Sequence, residues 1–215
     1  MKIYSENDLD RFLTEDLTWR LREVSDLKRT IDKTEPSLQY ATCRAGIPIV
    51  YAHWEGHVKN SAAAYVAFIA SKRLHLSQLK LGYSLGAFRS PLDRILADRA
   101  NRVVQMNFLS DVVALNDLRF SGKVESLSDT KSNLSFAVLS EILTILGLDT
   151  APFRDEASFI DKVLLERRNH IAHGHSSVPA IDVDTFFDTA NRTIGLMREF
   201  SNRIMFAALY EQFKR

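Results

Sequence analysis

The sequence predicts an all-α protein, an up-and-down bundle of four to five core helices with a partly helical insertion. Three observations lead there. Glycine and proline number only 8 and 5 in 215 residues, too few to punctuate a run of short strands. Apolar residues recur at steps of three and four over long stretches. Hydrophobic residues make up 46% of the chain and charged residues 26%, enough to fill one core, so residues 1–215 read as a single domain.

Leu9, Phe12, Leu13, Leu17, Leu21, Val24 and Leu27 form one stripe of a long first helix, with charge on its other face. Pro36 and the polar run to Gly46 read as a connection. Pro48 then sits in a first turn, where a missing N–H costs nothing, and starts a second helix that runs to Arg73. Val50, Tyr51, Trp54, Val58, Ala62, Tyr65, Val66 and Ile69 give this helix an apolar stripe broad enough for burial on two sides, which places it centrally. Residues 74–130 are expected to be an insertion between core helices, because Gly82, Gly86 and Ser90-Pro91 interrupt them before a helical run from Leu92 to Leu115. Ser121-Gly122 to Asp129-Thr130 is turn-rich. Ser132 or Asn133 is expected to cap a third core helix through Phe136, Leu139, Ile142, Leu143 and Leu146 to Gly147. A fourth helix starts at Asp155 or Ser158, carries Phe159, Ile160, Val163, Leu164 and Ile171, and stops at Gly174; a last one spans Asp182 to Phe213.

Charge and cysteine usage narrow the function classes. A net charge of +1 provides no global field for nucleic acid, so any such binding must rest on a local patch. The stretch from Lys72 to Arg102 has seven basic residues against two acidic ones; it is either a guide for phosphates or the wet face of helices. The single Cys43 cannot form an intrachain disulfide, and the polar start from Met1 to Asp10 does not read as a leader, so a cytoplasmic location is expected. Apolar stretches are broken well before the roughly 18 residues of a membrane span. No membrane association, cofactor or metal is expected.

The chemistry concentrates at the end of the fourth core helix, in Arg168-Asn169-His170-Ile171-Ala172-His173-Gly174. Residues four apart lie one turn away on a helix, which makes Asn169 and His173 neighbours. An apolar helix that ends in such polar residues must line a surface, groove or interface, since these groups are costly to bury alone. Arginine followed five residues later by histidine provides a fixed cation for a developing phosphorane and a proton carrier, the two groups that metal-independent RNA transesterification needs. Blander readings exist: cations at a helix C-terminus suit the dipole, and His170, His173 and His175 lack the carboxylate partner of a zinc site. His53 and His57, four apart on the second helix, lack a third ligand, and beside Trp54 and Val58 a structural role is expected for them.

The string Arg168-Asn169-x-x-Ala172-His173-Gly174 resembles the signature of the HEPN superfamily, in which an Arg-x4-6-His motif ends a bundle helix. The charged first helix, the segment Tyr51-Ala52-His53-Trp54-Glu55-Gly56 and the insertion before the motif helix resemble a bacterial toxin and defence branch of it, and the resemblance covers most of the chain. It implies a homodimer in which both copies of Arg168 and His173 form one RNA-cleaving cleft. Arg168 would hold the scissile phosphate, Asn169 would orient the phosphate or His173, and His173 would act as general acid or base, leaving a 2′,3′-cyclic phosphate. His170 lies outside the family pattern and is a candidate substrate contact, as are Glu55 and Lys59, one turn apart on the second helix. The implied function is a metal-independent endoribonuclease of toxin or antiphage-defence type, with RNA as substrate and an antitoxin or other inhibitory protein as a further partner. The alternative is a noncatalytic module that binds a nucleotide or a protein.

Overall fold

Ser5 opens the first helix with a capping box, accepting the Asp8 N–H at 3.1 Å while the Asp8 carboxylate accepts from Ser5 N–H at 3.1 Å. In the computed structural model, which describes residues 2–114, 118–122, 133–175 and 181–215, α1 spans Glu6–Lys33. Its apolar stripe is buried at Leu9, Leu13, Val24 and Ile31. The charged face departs from expectation at two positions, because Asp16 and Arg20 are also buried. They can be, since they pair with each other one turn apart: Arg20 Nε donates to Asp16 Oδ2 at 2.7 Å and Arg20 Nη2 to Oδ1 at 3.0 Å.

The second helix, α2 (Pro36–Ser71), is longer than expected. Pro36, rather than Pro48, takes the first helical turn, and the run to Gly46 is helical, with Cys43 buried in the core and Ile47 following one turn on. Pro48 lies inside the helix, where it removes one backbone donor. At Gly46 a Cβ would stand 2.6 Å from the Phe186 ring, so glycine lets the last helix approach the α2 backbone.

α1, α2 and the last helix, α8 (Val183–Leu209), pack together around Trp54, Tyr65, Phe68, Phe200 and Phe213, all fully buried. Trp54 meets Phe200 edge to face at 6.4 Å; truncating such a residue to alanine costs about 3–5 kcal/mol. A polar relay crosses the same three helices. Asp16 accepts from His57 Nδ1 at 2.7 Å and from Asn60 Nδ2 at 2.8 Å, and His57 Nε2 lies 2.9 Å from Ser201 Oγ and 3.0 Å from the Met197 carbonyl. His57 therefore has both ring nitrogens engaged, in keeping with a structural role.

After α2 come two short 3-10 turns, Leu76–Gln78 and Leu81–Ser84, and then two helices where one was expected. α3 (Leu85–Ala97) and α4 (Arg102–Val113) are separated at Asn101, whose side chain accepts from Val103 N–H at 3.0 Å and Val104 N–H at 3.3 Å and so starts a new helix. They meet through Phe88 and Phe108 and contain no buried residue. The chain returns alongside residues 74–76 through Phe120 N–H to the Leu74 carbonyl at 3.0 Å.

α5 (Phe136–Leu146) is capped by Ser135, which accepts the Val138 N–H at 3.2 Å, rather than by Asn133. The other cap candidate, Ser132, and the Asp129-Thr130 turn lie outside the described residues, as does Leu115. Gly147 ends α5 in the left-handed region at φ 69°. A single turn, α6 (Ala151–Arg154), leads into the segment Phe159–Glu166, wound as a π-helix, and directly on to α7 (Arg167–Ala172). Asp182 caps α8, accepting from Thr185 N–H at 2.8 Å. Among the described residues there are eight α-helices and no strand, and no helix is long and apolar enough to cross a membrane.

Candidate active site

The motif helix enters from the π-wound segment, in which Phe159, Ile160 and Leu164 are buried against the bundle. It leaves through a Schellman end: Gly174 N–H bonds the Ile171 carbonyl at 3.1 Å, and His175 N–H bonds the His170 carbonyl at 2.9 Å. Gly174 supplies the positive φ of 72° that this end requires. Arg44 of α2 clamps the same end by donating from Nη2 to the His175 carbonyl at 2.6 Å.

Arg168 is half-buried against α2. Its guanidinium lies 4.4 Å from the centroid of the Tyr51 ring, Nη1 donates to Asn169 Oδ1 at 2.7 Å and to Asn133 Oδ1 at 3.3 Å, and Nη2 stands 3.7 Å from Glu55 Oε2. Tyr51 is itself fixed, because its hydroxyl accepts the Leu134 N–H at 2.7 Å. Desolvation pushes the Tyr51 phenol up to about 12, with the Glu55 carboxylate adding to the rise and the Leu134 N–H and Arg168 opposing it. Tyr51 is thus a neutral ring that presents its face to a cation.

Asn169 links the two expected catalytic residues. Its side-chain oxygen goes to Arg168, while its backbone carbonyl accepts the His173 N–H at 3.0 Å. His173 is exposed, and its ring nitrogens make no hydrogen bond among the described residues. The His170 and His175 rings stack at 5.2 Å, and His173 meets His175 at 6.3 Å nearly edge on. Lys59 is exposed and touches neither Arg168 nor the histidines among the described contacts, whereas Glu55 reaches the arginine. No group of three or more His, Cys, Asp or Glu side chains is placed to hold a metal ion among the described residues.

Three contributors escape sequence reasoning. Tyr51 reads as core, Asn133 as a cap, and Arg44 falls in the expected connection. The segment containing Tyr51 stands out by resemblance, yet nothing in it shows that a loop 83 residues away anchors its hydroxyl.

A helical bundle with a long central helix, and a penultimate helix that ends in arginine and histidine over an aromatic platform, has the architecture of a HEPN domain. The family model for RiboL-PSP-HEPN matches residues 15–205, and the chain belongs to that family. It is accordingly a nuclease or nucleotide-binding module of the HEPN kind, a class whose domains commonly dimerise and bind RNA. No curated protein and no solved structure is significantly similar to the chain.

Proposed function

We propose that the protein is a metal-independent endoribonuclease acting at a composite site formed by two copies of the chain, in the role of a toxin or antiphage-defence effector. The observation that carries the reading is the divergence of Arg168 and His173. At 3.6 residues per turn, two positions five apart point about 140° away from each other. Arg168 turns inward onto Tyr51 and Glu55, while His173 faces out at the helix end. A second copy across a two-fold axis brings each histidine towards the other chain's arginine. The exposed stripe of α2 suits such an approach, since Ala41, Ala45, Ile49 and Ala52 are small or apolar.

In this reading Arg168 binds the non-bridging oxygens of the scissile phosphate and stabilises the charge that grows on them. One His173 takes the proton from the ribose 2′-hydroxyl as its oxygen bonds to phosphorus. The bond from phosphorus to the 5′-oxygen breaks, and the other His173 returns a proton to that leaving oxygen. The products are a 2′,3′-cyclic phosphate and a 5′-hydroxyl. Single-stranded or looped RNA, whose backbone can reach in-line geometry, is the expected substrate.

The test is to purify the wild type, Arg168→Ala and His173→Ala, verify folding and dimerisation, and follow RNA cleavage in the presence of EDTA together with growth arrest on expression. Cleavage by the wild type alone supports the reading. Equal behaviour of all three proteins overturns it and favours the noncatalytic module.

A further inference from the structure

The guanidinium of Arg168 already has partners in the resting chain, and two kinds stand out among the described residues. The Tyr51 ring and the oxygens of Asn169 and Asn133 are neutral, so they fix the plane of the cation without cancelling its charge. Tyr51 is 1% exposed and cannot swing away while its hydroxyl holds the Leu134 N–H. Glu55 differs: it is a charged carboxylate beside Arg168 that also meets the Tyr51 hydroxyl, and its side chain is 20% exposed, so it borders water on one side. At 3.7 Å from Nη2, it occupies one of the directions from which an anion would approach.

We infer that Tyr51 is a positioning residue that presets Arg168 for phosphate, and that Glu55 is a built-in competitor which the incoming phosphate displaces. This rests on Arg168 being the phosphate holder of the proposed nuclease, and it assigns Glu55 to regulation of the site instead of substrate contact. The arginine is held ready and partly neutralised until a polyanion replaces the carboxylate. Glu55 then discriminates by charge, since a ligand with one weak negative charge competes poorly with it while consecutive RNA phosphates compete well.

The probe is inorganic phosphate, titrated into 15N-labelled protein while the Arg168 Nε–H resonance, assigned with Arg168→Lys, is followed by NMR. Glu55→Gln keeps the side-chain shape and removes the charge, so phosphate should bind about fivefold more tightly. Tyr51→Leu should weaken phosphate binding about tenfold and broaden the Arg168 signal, while Tyr51→Phe, which keeps the ring and loses its hydroxyl anchor, should fall between Tyr51→Leu and wild type. In RNA cleavage, Glu55→Gln should lower KM with kcat retained, and Tyr51→Leu should lower kcat. Unchanged or weaker phosphate binding by Glu55→Gln overturns the inference, as does a Tyr51→Leu titration that matches the wild type. If the phosphate order holds and the wild type cuts no RNA, the nuclease reading fails and the arginine cage stands. If RNA is cut while the phosphate response is the same in all variants, the cage fails and the nuclease reading stands.

Discussion

Two clusters in this molecule use the same residue types to opposite effect. In the relay between α1, α2 and α8, arginine, asparagine and histidine all converge on one carboxylate, and the Asp16, His57 and Ser201 side chains fall in line like a hydrolase triad. It is nevertheless sealed: His57 is 0% exposed, and both of its ring nitrogens are in use. At the end of α7, arginine, asparagine and histidine are also present, yet His173 is exposed and its ring nitrogens make no hydrogen bond among the described residues. Residue identity thus does not separate a sealed cluster from an open one. What separates them is the hydrogen-bonding capacity left over once the chain has folded.

The contrast can be broken at either end. The largest effect is expected at the relay. Asp16→Ala leaves Arg20 buried without its counter-charge and His57 Nδ1 without its acceptor, which should cost about 3–5 kcal/mol in urea unfolding, a large part of a domain's stability. Any lost cleavage should then track the lost fold. At the motif, Arg168→Ala and His173→Ala should lower cleavage at least about 100-fold while thermal unfolding shifts little. A His173 variant as unstable as Asp16→Ala would erase the distinction.

Smaller effects sharpen it. Gly174→Ala places a Cβ in open space, so its whole cost is the positive φ, about 1–2 kcal/mol in a thermal melt, and cleavage should fall as the helix end loosens around His173. The smallest effect is a change of slope in acid. His57 and Arg20 hold the Asp16 carboxyl well below the usual carboxylate range even though burial opposes them. A carboxyl that is more acidic folded than unfolded adds stability above the unfolded value of about 4 and loses it as pH falls towards the folded one. The acid limb of the stability curve should therefore be shallower in Asp16→Asn than in the wild type.

Much of this architecture is legible in the sequence. Periodicity locates α1, α5, α8 and the centrality of α2, and the string from Arg168 to Gly174 identifies both the superfamily and the end of the motif helix. Two kinds of information are not legible there. Burial of Asp16 and Arg20 depends on a histidine 41 residues from Asp16, and the Arg168 platform depends on Tyr51, Asn133 and Leu134, brought together by tertiary packing alone. Pro48 misleads for a local reason: a proline between apolar residues looks the same at a helix start as inside a helix whose solvent side tolerates its ring.

The wide winding of Phe159–Glu166 has a consequence for how the chain tolerates changes in length. A π turn holds a surplus residue without altering the angular phase of the helix beyond it, so a one-residue deletion there can be absorbed by reverting to ordinary helix, leaving Arg168 aimed at Tyr51. The same deletion between Arg168 and His173 has no such slack and turns His173 by about 100° relative to Arg168. The segment thus has the slack of a spacer of adjustable length, placed directly ahead of Arg168 and His173.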